Sequence, residues 1–371
     1  MTGTSLDGLD VAAVELDGAG LKSTARLLEH RHVPLGACGV RLRALCEQAP
    51  HRAADIAALA HELGTLHAET IEPLIRALPR PVDLVAVHGQ TVFHAPPLSW
   101  ALIDPAPLLA VLDAHLVTDL RTLDLARGGQ GAPITPLADW ILFRGPRPRT
   151  IVNLGGFCNG THLPDENGTP DAIRGADVCA CNHLLDAGAR RWLDRAFDED
   201  GAVALSTTPE EAWIPTIVER LEVRSESVNR SLGTGDEGVD LIAALDALPT
   251  AAKRLSTLAA GIAEVIARAI PATNEVLLFG GGAHHQGVRR ELARRRDGAP
   301  SSLGAAGIGV EAREAAAMGV LGALAFDGVD ITLPAVTGRT GPARHRSGRW
   351  HLAHTQRALV DDVRTDQLKK R

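Results

Sequence analysis

Tyrosine is absent from this chain of 371 residues, and aromatic residues make up only 3% of it. Lysine is nearly absent as well: Lys22, Lys253, Lys369 and Lys370 stand alone among 38 basic residues, the others being arginine. This Ala-, Arg- and Gly-rich bias reads as genomic base composition and carries no function. Cysteine is scarce. Cys38, Cys46, Cys158, Cys179 and Cys181 are odd in number and form no CxxC pair. Cys179 and Cys181 are too close for an ordinary structural zinc pair, and no second pair completes four ligands. A reduced cytoplasm is therefore the expected compartment. No apolar run approaches the roughly 18 residues of a membrane span. The Gly- and Asp-rich amino terminus does not read as a signal peptide. Basic charge is not in excess either: 38 basic against 45 acidic residues gives a net charge of −7, which argues against nucleic acid as the main partner.

What is present is globular. Charged residues are 22% and hydrophobic residues 45%, which excludes a mostly disordered chain, and the length suggests two domains. A polar turn at Met1–Asp10 feeds an expected strand at Val11–Leu16. Leu42–Leu78 has helical spacing, with Leu59, Leu63, Leu66 and Ile71 on one side. The apolar run Asp83–Val87 is an expected buried strand that ends in His88-Gly89-Gln90-Thr91. Pro105–Leu116 is expected to be helical, and Gly128–Pro133 a loop or hinge. In the second half, Thr150–Gly156 and Glu275–Phe279 read as strands that again run into glycines. Leu184–Phe197, Ala251–Ile270 and Glu311–Phe326 read as helices. The pattern of strands ending in Gly-rich polar turns, in both halves, predicts two related α/β units facing a cleft.

Glycines let backbone N–H groups approach phosphate oxygens closely, and small hydroxyl residues add donors. Gly3-Thr4-Ser5-Leu6-Asp7-Gly8 has that composition, with Asp7 suited to hold Mg²⁺ directly or through water. The GK[ST] ending of a Walker A loop is missing. Asn153-Leu154-Gly155-Gly156 is a second candidate phosphate loop, and Gly280-Gly281-Gly282 would let backbone lie against a nucleoside. Taken singly, each reads as a plain turn; three at strand ends in one chain point to a nucleotide cleft.

The ordered series is more specific. Thr2–Asp10, His88–Thr91, Gly128–Pro133, Asn153–Gly156, Phe279–His284, Glu311-Ala312 and Leu333–Gly338 follow one another as they do in anhydro-N-acetylmuramic acid kinases. The chain resembles that family of the actin/hexokinase/Hsp70 ATPase superfamily over residues 1–340. The resemblance implies two RNase H-like α/β domains, mixed sheets with flanking helices, around an interdomain ATP and sugar cleft. The first would span 1–131, completed by 312–340, and the second 132–311; residues 341–371 would be a basic, mobile tail.

The resemblance also implies the reaction. Water and ATP act on a sugar with a 1,6-anhydro bridge, the bridge opens, and O6 is phosphorylated to give N-acetylmuramic acid 6-phosphate in cell-wall recycling. The water-activating base would be Asp177, in a loop Asp177–Asn182 that has lost the family's two glycines and proline. Glu311, Asp119, Arg121, His88, Gln90 and Asn182 would line the sugar site. Gly3, Thr4, Ser5, Leu6, Asp7, Gly8, Leu9, Asp10, Asn153, Gly155, Gly156, Gly280, Gly281 and Gly282 would hold ATP, with Mg²⁺ at Asp7. Ser227 and Arg230 would remain from a Lys-Ser-Thr-Gly-Arg segment whose lysine is here Glu226. A homodimer is compatible with the resemblance; nucleic acid and membrane are not expected partners. The family places a strand of about seven to ten residues ahead of the first loop. The true start is therefore expected upstream of Met1, since the first sheet otherwise lacks a central member. The altered loop leaves two rival readings, a catalytically impaired nucleotide- and sugar-binding homologue and a kinase of another amino sugar.

Overall fold

The computed structural model describes residues 1–3, 6, 8–222, 238, 240–296, 301–303, 305–341 and 344–353. It is α/β, with mixed sheets flanked by helices. The second half is built on five strands in the order β11-β10-β7-β8-β9: β7 Arg149–Leu154, β8 Phe157–Leu163, β9 Arg174–Ala180, β10 Glu275–Phe279 and β11 Ser301–Leu303. β7 lies parallel to β10, from Glu275↔Arg149 to Phe279↔Asn153, and antiparallel to β8. Its side chains alternate between two cores, as the period of two requires. Val152 and Leu154 pack with Leu258, Ile262 and Ile266 of a helix at Ala251–Ala269. Ile151 packs on the other face with helices at Pro136–Phe143 and Ala312–Phe326 (α7 below). The helix at Ala251–Ala269 begins where Thr250 Oγ1 accepts the Lys253 N–H at 3.1 Å, an N-cap.

In the first half, β1 Gly8–Asp17 and β2 Thr24–Pro34 form an antiparallel pair. β3 Leu84–Val87 runs parallel to β6 His115–Thr118, and β12 Arg349–His351 closes β6's other edge antiparallel. β4 Gln90–Ala95 and β5 Leu98–Leu102 are a hairpin rising from the end of β3. Helix α1 spans Gly36–Cys46, α2 Ala53–Ala77, α3 Pro136–Phe143, α4 Asn182–Leu193, α5 Ala251–Ala269, α6 Gln286–Arg295 and α7 Ala312–Phe326.

Among the described residues no strand joins β1 to β3. A cavity of about 590 Å³ opens between them, lined by Val11, Ala13, Ile71, Leu74, Val85 and Val87. Residues 1 and 2 pair with β1 beside it. Thr2 bridges Leu9 antiparallel, the Met1 amine donates to Asp10 O, and Asp10 N–H donates to Met1 O at 2.9 Å. Burial pushes the Met1 amine down to about 6, against the opposing pull of Asp10 and Glu314. Among the described residues of the expected site, Asp10 borders this cavity.

Several expectations need correction. The helical stretch Leu42–Leu78 is two helices, α1 and α2, because Pro50 lies between them and cannot continue the first. Pro105–Leu116 is helical only over Ala106–Leu109; His115 and Leu116 belong to β6, whose four residues are all buried. Asp177–Asn182 is not an open loop. Asp177–Ala180 ends β9 and Asn182 starts α4, since cysteine and alanine in place of glycine and proline, with Val178 beside them, fit a buried strand. The mobile tail is corrected over its first part. Trp350 packs on Phe326 at 5.8 Å between ring centroids, His115 stacks on the same ring at 5.3 Å, and β12 adds ladder bonds. Residues 354–371 lie outside the described residues.

Candidate active site

β3 runs into His88 and Gln90, both buried. Gly89 between them has φ +72°, and a Cβ there would stand 2.9 Å from Leu102 O, so the turn requires glycine. Arg121 Nε donates to His88 Nε2 at 2.8 Å, which leaves the imidazole proton on Nδ1, 3.0 Å from Gly89 O. Burial, then the Arg121 charge, pushes His88 down to about 3. Burial also lowers Arg121 to about 10, opposed by Glu314 and Asp119. Arg121 Nη1 donates to Gly131 O at 2.7 Å, so this arginine ties the end of β3 to the Gly128–Pro133 loop. Gln90 Nε2 donates to Thr91 O at 3.2 Å, while its buried Oε1 has no partner among the described residues.

Asp119 follows β6 in the left-handed region, φ +55°. Its Oδ1 accepts from Thr122 Oγ1 at 2.5 Å and its Oδ2 from Arg349 Nε at 3.0 Å. Nearby Asp124 is buried and escaped the sequence reading. Its Oδ2 accepts from Gly131 N at 2.7 Å and its Oδ1 from Thr337 Oγ1 at 2.8 Å. With the Gln130 N–H on Thr337 O at 2.8 Å, this pins Gly128–Pro133 to Leu333–Gly338. The only sequence signal for Asp124 is an aspartate a few residues ahead of a Gly-rich loop.

In the second half three expected motifs converge at the head of β7. Cys181 N–H donates to Gly156 O at 2.8 Å and Asn182 N–H to Gly155 O at 3.0 Å. Asn182 spends its amide on Leu154 O at 3.1 Å and so braces β7. A Cβ on Gly280, which has φ +79°, would lie 2.6 Å from Asn153 Oδ1, and one on Gly282 would lie 2.4 Å from Asn182 Oδ1. A Cβ on Gly281 would meet nothing within 4 Å, so that peptide faces open space. Asp177, half-buried, stands opposite Asn159 across β9 and β8.

Glu311 precedes α7 and meets His284 Nε2 at 3.0 Å. Burial pushes its carboxyl up, but its own backbone N–H, His284 and the His30 charge outweigh this and hold it below the usual range. The turn is anchored by a buried bidentate pair also missed in the sequence: Arg313 Nε and Nη2 donate to Asp139 of α3 at 2.9 and 2.5 Å. Glu314, one residue further, interacts with Arg121. The first turn of α7 therefore joins the His88–Arg121 cluster to the Gly280–His284 turn.

The first loop is only partly placed. Thr4, Ser5 and Asp7 lie outside the described residues, as do Glu226, Ser227 and Arg230. Leu6 and Leu9 are buried; Leu6 N–H bonds to Gly3 O at 3.4 Å. Gly8 packs against the His32 ring. Asp10 Oδ1 is shared by His30 Nε2 and His32 Nδ1, each at 3.0 Å, two partners that β1–β2 pairing supplies.

A family model described as anhydro-N-acetylmuramic acid kinase matches residues 1–346. Three relatives bear that name. One from Salinibacter ruber is 32% identical over 366 residues, covering 91% of this chain and 92% of its own. One from Bordetella petrii is 32% identical over 369 residues, covering 92% and 93%. One from a Synechococcus species is 34% identical over 372 residues, covering 92% and 96%.

Proposed function

The chain belongs to the anhydro-N-acetylmuramic acid kinase family, and from that premise we propose how its own residues divide the work. It is a sugar kinase: a phosphotransferase with an alcohol group as acceptor, acting on 1,6-anhydro-N-acetylmuramic acid in cell-wall recycling, with ATP as phosphoryl donor. Two events must be coupled. Water attacks the anomeric carbon while the C1–O6 bond breaks, its electron pair going to O6; O6 then forms a bond to the γ-phosphorus as ADP leaves. Positioning and charge neutralisation carry the second event, and a general base the first.

Asp177 is the base in this reading and accepts the water proton. The observation that carries the assignment is the convergence of Asn153–Gly156, Cys181-Asn182 and Gly280–Gly282 at the carboxyl end of β7, where Asn153 is in register, through Asn159 of β8, with Asp177 of β9. Glycines there leave room for ATP: Gly280 and Gly282 permit the close packing, and the open Gly281 peptide would lie against the nucleotide. Mg²⁺ would arrive with ATP and be held at Asp7, screening phosphate charge. His88 stays neutral and, with Arg121, orients the sugar end of the cleft. Asn182 acts as a brace of β7. The hinge is placed at Gly128–Pro133, between a first domain of 1–131 completed by 312–340 and a second of 132–311. Among the described residues no helix is long and apolar enough to cross a membrane; a cytoplasmic site follows from the need for ATP.

The test is isotopic. The sugar is incubated with ATP in ¹⁸O-water, and the product is analysed by mass spectrometry. The label is expected on the anomeric hydroxyl of a 6-phosphorylated sugar. Label appearing only in inorganic phosphate would mean ATP hydrolysis without coupling and would overturn the reading.

A further inference from the structure

We propose that Arg349 is a specificity-determining residue, which binds the carboxylate of the sugar's acidic side arm. The inference rests on the substrate class given above. Muramic acid differs from glucosamine by a lactyl ether that ends in a carboxylate, so a site that selects it needs a cation at its edge. Arg121, the arginine expected there from the sequence, is turned inward: its Nε is on His88 and its Nη1 on Gly131 O. Arg349 is differently placed. It lies on β12, beyond residue 346 where the family match ends.

β12 is held on β6 by a fixed anchor. Gly348 has φ +97°, and a Cβ there would strike Val117 Cγ2 at 2.4 Å, so only glycine lets the segment close on β6. Trp350 packs on Phe326, and Arg346 lies over the same ring at 5.3 Å. Ala353 N–H donates to His115 Nδ1 at 3.1 Å. This seats Arg349 opposite Thr118, the last residue of β6, directly before Asp119.

The geometry of the guanidinium then matters. Asp119 Oδ2 takes Nε at 3.0 Å, while the Arg349 side chain remains 76% exposed. Its Nη pair has no partner among the described residues. Holding Nε fixes the plane of the group and leaves the terminal fork outward, the arrangement that receives a carboxylate through two parallel hydrogen bonds. Asp119 thereby acts as the positioning residue for Arg349.

The experiment compares wild type with Arg349→Ala and Arg349→Lys on two sugars. One is 1,6-anhydro-N-acetylmuramic acid; the other is the same sugar with its carboxyl as the methyl ester. Binding is measured calorimetrically without ATP, and KM for sugar and for ATP with it. We expect Arg349→Ala to reduce the preference for acid over ester by about tenfold to a hundredfold, with KM for ATP unmoved. Arg349→Lys should recover part of the preference, since it keeps the charge and loses the fork. An equal loss on both sugars would overturn the proposal, showing that Arg349 acts only through Asp119. No loss on either would overturn it as well. Because the binding measurement needs no turnover, a wild type that binds the acid preferentially without releasing ADP would count against the kinase reading and leave this proposal standing.

Discussion

Arg121 and His88 form one buried unit, joined by the 2.8 Å bond from Arg121 Nε to His88 Nε2. The bond fixes the imidazole tautomer, and the second arm of Arg121 reaches Gly131 O. One planar side chain thus couples the end of β3 to the Gly128–Pro133 loop. Lysine has the charge but no fork, so it cannot make both bonds in this geometry. Arg121→Lys is expected to cost about 1–3 kcal/mol of stability through the unsatisfied carbonyl and imidazole. It should also lower kcat/KM for the sugar about tenfold or more. Thermal midpoint and sugar kinetics check this; unchanged values for both would show that the pair is incidental.

His67 and His88 are both pushed by burial to about 3, well below the ordinary 6.5. Between those values the unfolded chain binds protons that the folded chain does not. The folded state is therefore favoured fully above pH 6.5 and loses stability as pH falls, by about 1.4 kcal/mol per pH unit for each group. His67→Gln, in α2 beside the Met1 amine, should make the fall between pH 6.5 and 5 shallower by about that amount per unit. Denaturant titrations at several pH values give the slope. A slope equal to wild type would contradict the assignment.

The Met1 amine, beside the cavity between β1 and β3, is open to a separate test. The Met1 amine is lowered from 8.0 to about 6, so the chain should lose stability as pH falls from 8 towards 6. Acetylating the amine should abolish that dependence without filling the cavity. Fusing seven apolar strand-forming residues ahead of Met1 should abolish it and also raise the thermal midpoint strongly, since each buried side chain is worth about 1.5–3 kcal/mol. An equal midpoint for the acetylated and fused chains would show that the added residues do not enter the cavity.

Gly281 and Gly282 separate binding from packing. Gly282→Ala would force a methyl to 2.4 Å from Asn182 Oδ1 and 2.9 Å from Leu154 O, and should cost about 1–3 kcal/mol of stability as well as activity. Gly281→Ala meets no protein atom within 4 Å. It should leave the thermal midpoint nearly unchanged and raise KM for ATP severalfold. A Gly281→Ala enzyme with normal KM for ATP would move the nucleotide away from this turn.

The sequence was legible where the chain's own pattern is sufficient. β1, β3, β7 and β10 are apolar runs that stop at glycines, and the helix at Ala251–Ala269 carries its stripe and cap within itself. It was illegible where partners are distant. Asp124 is answered by Thr337, Asp139 by Arg313 and Asp119 by Arg349, contacts set by topology rather than spacing. β2, β8 and β9 are illegible in the sequence because polar and charged residues interrupt their apolar pattern. The loop at Asp177 was misjudged for a different reason. Its composition was compared with glycine-rich relatives, whereas Val178, Cys179 and Cys181 are buried against the core behind β9.

That altered segment is where the central claim is most exposed to test. Asp177→Asn preserves size and most hydrogen bonding but cannot accept a proton. General-base removal typically costs about 10²–10⁴-fold in rate. The measurement is ADP release with 1,6-anhydro-N-acetylmuramic acid for wild type and Asp177→Asn side by side, with ATP binding followed in parallel. The account predicts sugar-dependent ADP release by wild type, a fall of that order in the variant, and ATP binding nearly intact. A variant as fast as an active wild type would contradict the role of Asp177, and a wild type with no release above the sugar-free background would contradict the kinase itself.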